Sequence, residues 1–243
     1  MTVAEVREQV RAGGLLGDGV PVVAMLSGGR DSVCLLDIAV ALCGSRRVYA
    51  LHVNYGLRAD ADDDEAHCRE LCGQLGVEID VVRAERQAGA KGNLHGWARE
   101  LRYRAAFQRA ERLEGVREKL GLEELGETLG ANVAQRDDSR ARGAVPVATG
   151  HTATDQVETI LYRLAASPGR RALLGMSPRE GRLVRPLLGI TRIETADYCR
   201  ELGLAWREDE SNDSPAYARA RVRHGLLPAL EAVHPAASSN VLR

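Results

Sequence analysis

Apolar and polar positions alternate along this chain in two rhythms. Val20 to Leu26 reads VPVVAML, a continuous apolar run rich in β-branched residues, with a glycine close on either side. Such a run suits a strand buried on both faces, as in a parallel sheet. SGGRDS comes next, and VCLLDIAVALC then carries apolar residues at helical spacing. Strand, glycine loop and helix in that order form the first half of a βαβ unit. Further strand runs fall at Arg47 to Val53, Val77 to Val82 and Val145 to Gly150. Helical patterns run from Asp60 to Leu75, Leu94 to Arg112 and Asp155 to Leu164. Strands alternating with helices of this length predict an α/β fold: a doubly wound, mostly parallel sheet with helices on both faces.

Two stretches break the rhythm. From about residue 116 to 144 the chain is polar and charged, with only weak helical spacing at Leu120 to Leu129, and reads as an insertion. After Leu164 the character changes again. Ser167 to Arg182 is rich in Gly, Arg and Pro, a turn and a helix follow, and Tyr217 to Val233 is a basic amphipathic helix. We therefore expect a nucleotide domain at residues 1–165 and a small helical extension at 166–243. DADDDE, within Asp60 to Glu65, reads as an acidic helix start rather than a metal site. Each acid in a first turn stabilises the helix dipole by roughly a few tenths of a kcal/mol.

Composition narrows the class. The chain has 243 residues, 44% of them hydrophobic, enough for one substantial core or for one core plus a small appendage. The net charge of −1 excludes a strongly basic tail. It is unevenly spread: Arg163 to Arg243 holds 13 Arg, no Lys and 9 acids, a surplus of four positive charges. A local basic patch for nucleic acid therefore remains compatible with the composition. The 5 cysteines include no CxxC pair, so neither a disulfide scaffold nor a zinc site is expected. Cys68 and Cys72 read as small buried hydrophobes. MTVAEVREQVRAGG lacks an apolar leader, and no long apolar span follows, so a soluble cytoplasmic protein without a membrane segment is expected.

Ser27-Gly28-Gly29-Arg30-Asp31-Ser32 carries the clearest chemistry. Glycines let the backbone turn sharply, and a helix opening near Asp31 aims N–H groups and partial positive charge at the loop, a place for phosphate. Neither GxxxxGK[ST] nor GxGxxG is present. SGGxDS directly after a buried strand instead resembles the pyrophosphate loop of the PP-loop, or N-type, ATP pyrophosphatases, which share an adenine nucleotide α-hydrolase-like fold. The resemblance implies cleavage of ATP between its α and β phosphates. Ser27, Gly28, Gly29, Arg30 and Ser32 would hold ATP, and Asp31 would hold Mg²⁺ or orient the substrate.

Four further segments resemble the tRNA(Ile)-lysidine synthetases within that superfamily. They are LHVNYGLR at Leu51 to Arg58, GNLHGWARELRYRAAF at Gly92 to Phe107, TGHTATDQVETILYRL at Thr149 to Leu164, and the stretch from LVRPLLGITR to ARARVRHGLLPALE. Tyr55, His95, Thr154 and Ala220 depart from the family pattern. The spacing from Tyr103 to His151 exceeds it, and the family's longer C-terminal tRNA-binding domains are not expected here. The resemblance implies that ATP adenylates C2 of the wobble cytidine of tRNA(Ile) with a CAU anticodon, and that L-lysine then displaces AMP. It points to Asp31, Asp155 and Glu158 as catalytic and to Asp31 and Asp155 as Mg²⁺ ligands. Asn54, Arg58 and His151 join the ATP site, and Arg99, Arg102, Arg219, Arg221 and Arg223 contact tRNA. It leaves a homodimer open.

On residue type alone, alternatives stand. Asp155 also reads as a helix N-cap, His151 as a capping or packing residue, and the Arg99 to Tyr103 face as solvated. A PP-loop thiolase would rely on cysteines, typically CxxC. An amidating synthetase would ignore tRNA, and a non-catalytic remnant would bind ATP or RNA without turnover.

Overall fold

The computed structural model describes residues 1–17, 19–84, 94–119, 144–166, 169, 173–208 and 218–242. The predicted helical spacing at Leu120 to Leu129 and most of the insertion lie outside these residues.

The chain opens with α1 (Val3–Ala12), which buries Val6 and Val10. Thr2 caps it and Glu5 returns the bond to the Thr2 backbone, a reciprocal capping box. Then come β1 (Val22–Met25), α2 (Arg30–Cys43), β2 (Val48–Asn54), α3 (Ala61–Leu75) and β3 (Glu78–Arg83). α4 (Leu94–Lys119) outruns its expected end and absorbs the first residues assigned to the insertion. β4 (Val147–Ala148) and α5 (Ala153–Ala166) follow.

The sheet then continues past residue 165. A short hairpin of β5 (Arg179–Glu180) and β6 (Leu183–Val184) adds its second strand parallel to β4. The resulting order is β3-β2-β1-β4-β6-β5, parallel throughout except at the β5 edge. β1 therefore lies where the winding reverses, between β2 and β4. α6 (Arg192–Glu201), α7 (Ala218–Arg221), α8 (Leu227–Val233) and α9 (Ala237–Val241) complete the chain.

Alternation along the strands divides the core between two faces. Val22 and Ala24 join Val6, Leu35, Ile38, Leu71 and Tyr198 from α1, α2, α3 and α6. Val23 and Met25 point the other way, against Ala106, Ala110 and Leu113 of α4. Helices thus cover both faces, as the sequence pattern predicts. A third cluster joins Val157 and Leu161 of α5 to Val222 and Leu227. A π turn at Val222–Leu226 separates α7 from α8. It precedes Pro228, whose ring would clash with the carbonyl four residues back in a regular helix.

A polar clasp ties α1, α2 and α6 together. Tyr198 Oη donates to Asp37 Oδ2 at 2.5 Å, Arg7 Nη2 donates to the same oxygen at 2.8 Å, and Arg7 Nε donates to Tyr198 Oη at 2.8 Å. Burial and the neighbouring Asp37 carboxylate both push the Tyr198 phenol well above its ordinary range, so it stays protonated and donates.

Candidate active site

The loop after β1 closes on itself. Ser32 Oγ donates to the Gly29 carbonyl at 2.7 Å and accepts from the Ser27 N–H at 3.1 Å, and the two serine oxygens lie 3.1 Å apart. Gly28 has φ +84, and a Cβ there would stand 3.3 Å from Cys68 Sγ, so glycine suits both the turn and the space. Gly29 enters α2 with extended backbone and no side-chain cap. An uncapped N-terminus offers its N–H groups and positive dipole end to an anion. From just past β4, Gly150 packs so closely that a Cβ would lie 3.0 Å from the Asp31 carbonyl. The Gly28 carbonyl accepts from the Arg207 N–H at 2.9 Å. The side chains of Arg207 and Arg58 converge on Asp64 at 2.5 and 2.6 Å.

The acids named from the sequence meet beside this loop. Asp31 opens α2 and Asp155 lies in the first turn of α5, so β1 and β4 deliver both to the same edge of the sheet. Each is held by its own donors. Thr195 Oγ1 donates to Asp31 Oδ1 at 2.5 Å, while the Thr152 N–H and hydroxyl both donate to Asp155 Oδ2 at 2.8 Å. Glu158, only 1% exposed, takes a forked pair from Arg223: Nε to Oε1 at 2.6 Å and Nη2 to Oε2 at 3.2 Å.

One residue that sequence reasoning missed joins all three acids. Arg192 donates from Nη2 to Asp155 Oδ1 at 3.2 Å, and its Nε lies 3.5 Å from Asp31 Oδ2 and its Nη1 3.9 Å from Glu158 Oε1. Its own N–H donates to Thr154 Oγ1 at 3.1 Å, and the Thr191–Glu194 capping box fixes the start of α6 around it. Thr154, a departure from the family pattern, is thus the anchor of Arg192. The available signal was TRIE, a capping box with an arginine inside it.

The other predicted residues divide. His151 sits next to Asp155's turn, with Nδ1 2.8 Å from Thr149 Oγ1. Burial, aided by the charges of Arg185, Arg102 and Arg219 and opposed by Asp155, lowers its pKa to about 4, so the ring is neutral at physiological pH. Asn54 is buried and fully engaged: Nδ2 donates to Asp62 at 2.9 Å and Glu65 at 3.1 Å, and Oδ1 accepts from the Gly56 N–H at 2.9 Å. It shapes the turn after β2 on which Arg58 stands. Tyr55, another departure, donates to the Ala98 carbonyl at 3.0 Å and meets Trp97 edge to face, fastening that turn to α4. Arg99 and Arg102 flank the Tyr103 ring at 4.8 and 5.7 Å. Arg219 reaches Thr159 Oγ1 at 3.3 Å, Arg221 is exposed, and Arg223 is engaged by Glu158. Ala220 is buried.

All five cysteines are buried thiols outside any disulfide. Burial pushes the thiols of Cys68 and Cys72 up to about 12, so both stay protonated. Among the described residues no group of three or more His, Cys, Asp or Glu gathers as a metal cage, and no helix is long and apolar enough to cross a membrane.

A glycine loop opening an uncapped helix at the switch point of a parallel sheet, faced by acids and arginines, is the arrangement of an α/β nucleotide-binding domain. The chain belongs to the PP-loop domain family, whose profile matches residues 16–117 and 135–230. It is 36% identical over 224 residues to the tRNA(Ile)-lysidine synthase of Pseudomonas syringae pv. tomato, covering 89% of this chain and 43% of that protein. With the tRNA(Ile)-lysidine synthase of Geobacter sulfurreducens it shares 36% identity over 234 residues, 95% of this chain and 44% of the relative. The chain thus spans less than half the length of these relatives. Among solved structures, the U34-tRNA thiolase NcsA from Methanococcus maripaludis matches with a TM-score of 0.69 at 18% identity. The match covers 99% of this chain and 76% of that one, a likeness of fold.

Proposed function

We propose that this chain is the ATP-binding catalytic part of a tRNA(Ile)-lysidine synthase. It would ligate L-lysine to C2 of the wobble cytidine of tRNA(Ile) with a CAU anticodon, releasing pyrophosphate and AMP. The observation that carries this reading is the meeting of Asp31, Asp155 and Glu158 around Arg192, directly beside an uncapped glycine loop. A polyphosphate needs the loop, and an adenylated base attacked by an amine needs carboxylates.

In the first step the C2 oxygen of cytidine attacks the α phosphate, and the bond to pyrophosphate breaks. Negative charge develops on the leaving group, where Ser27, Gly28, Gly29, Arg30 and Ser32 supply donors and a helix N-terminus supplies positive potential. Arg58 adds a cation from the β2 side. Asp31 and Asp155 offer oxygen donors alone, the type Mg²⁺ takes as one or two carboxylates alongside phosphate oxygens. The pair therefore fits Mg²⁺ arriving with ATP, which would neutralise charge on the phosphates.

In the second step the ε-amine of lysine attacks C2, AMP leaves with the oxygen, and the new C–N bond sheds a proton. Asp155 is the acid we assign to receive the ammonium. Glu158, buried and forked to Arg223, positions that centre. His151, neutral, contributes hydrogen bonding rather than charge. Exposed Arg99, Arg219 and Arg221, with Arg102 behind them, would meet tRNA phosphates, so binding should weaken with salt. The buried, protonated thiols favour this reading over a thiolase.

The test is incorporation of labelled lysine into isoleucine tRNA bearing CAU, with ATP present. Asp31→Asn and Asp155→Asn should each lower it by about a hundredfold or more while the chain stays folded. Lysine incorporation that ignores both substitutions would refute the assignment.

A further inference from the structure

We propose that Arg192 is a placeholder cation, which neutralises the acids of the resting site and yields its place to the ε-ammonium of incoming lysine. The inference rests on the lysidine reading above.

Arg192 is loosely engaged for a residue among three carboxylates. Only its contact with Asp155, at 3.2 Å, is a hydrogen bond; Asp31 and Glu158 stand 3.5 and 3.9 Å away. Its Nε is shielded from solvent yet has no hydrogen-bond partner among the described residues. Its side chain remains 23% exposed, so it has somewhere to go. Arg223 shows the contrasting arrangement, forked onto Glu158 through two hydrogen bonds.

The acids, by comparison, do not need Arg192 to stay in place. Thr195 holds Asp31, Thr152 holds Asp155 through two donors, and Arg223 holds Glu158. Withdrawal of the guanidinium would leave a preformed site of carboxylate oxygens. A primary ammonium, with three donors on a compact charge, matches it. Thr154 grips the backbone of Arg192, not its side chain, so the guanidinium can swing while α6 stays fixed. Without Arg192, Asp31 would keep Arg30 at 3.5 Å and Glu158 its fork to Arg223, so the charge left uncompensated among the three acids would be that of Asp155.

Competition between two cations for one place has an unusual consequence. Removing the protein's own cation should tighten lysine binding, whereas damage to the site would weaken it. The experiment is calorimetric titration of lysine, and of norleucine as the analogue lacking the ε-amine, into the wild-type chain, Arg192→Gln and Arg192→Lys. We expect Arg192→Gln to bind lysine about three- to tenfold more tightly, with norleucine unchanged and Arg192→Lys close to wild type. Unchanged or weaker lysine binding by a folded Arg192→Gln chain would overturn the inference, as would an equal gain for norleucine. Wild-type chain that neither binds lysine nor transfers it to tRNA would overturn the lysidine reading and the inference with it. Wild-type binding and transfer without the gain in Arg192→Gln would overturn the inference alone.

Discussion

Glu158 offers both carboxylate oxygens to Arg223, and neither residue has much access to water. Truncating one partner strands the other. Glu158→Ala and Arg223→Ala should each cost about 1–3 kcal/mol in chemical denaturation, and the double variant little more than either. Strict additivity would show that the pair is not coupled. Glu65 supplies a pH-dependent contribution of a different kind. Its carboxyl is held at about 2, below its ordinary 4.5, chiefly by Arg83, with Asn54 and Arg69 adding to the effect and burial opposing it. A depressed acid stabilises the fold fully above its unfolded pKa, and that stability disappears as the pH falls from about 4.5 toward 2. Thermal melts from pH 7 to pH 3 should therefore show a shallower decline for Glu65→Gln than for wild type; parallel declines would contradict this. At this scale the sequence was legible where chemistry is local. Asp31, Asp155 and Glu158 sit within short motifs, and the structure gathers all three. Arg192 was not legible: it lies 37 positions from Asp155, in a stretch that reads simply as a helix start. Asn54 reads from sequence as a ligand-edge residue, yet its hydrogen bonds to Asp62, Glu65 and Gly56 require the folded turn to be seen.

Short elements do much of the positioning. Gly150, just past β4, packs on the backbone of the first turn of α2, where a methyl group would stand 3.0 Å from the Asp31 carbonyl and require that turn to shift. Gly150→Ala should push that turn away and cost about 1–3 kcal/mol, with weaker ATP binding measured in the same samples. Wild-type affinity would show that the two elements can separate freely. The clasp of Arg7, Asp37 and Tyr198 joins α1, α2 and α6 away from the loop. Tyr198→Phe removes a buried donor to Asp37 and should lower stability by about 1–2 kcal/mol while leaving ATP affinity unchanged. Long apolar runs made β1, β2 and β3, with α2 to α5, readable from sequence, because burial on one or two faces writes a strong period. β5 and β6 span two residues each, too few to write any period, and β6 acquires its identity by pairing with β4. α1 announced itself only by Thr2 and Glu5, whose capping box is legible in retrospect.

The whole molecule converges on one place. Parallel winding reverses between β1 and β4, so loops from both halves meet at the carboxyl ends of the strands. The glycine loop comes from one half and Asp155 with Glu158 from the other. Arg192 is delivered by α6, beyond the last parallel strand. Residue 165, the boundary drawn from composition, marks the end region of α5, and later residues continue the same sheet. We propose that this sheet edge activates a tRNA base with ATP. The most direct measurement is release of pyrophosphate from ATP by the purified chain, with and without isoleucine tRNA bearing CAU, each with and without lysine. Release should depend on tRNA and be followed by AMP once lysine is added. ATP binding without tRNA-dependent pyrophosphate release, in folded protein, would contradict it.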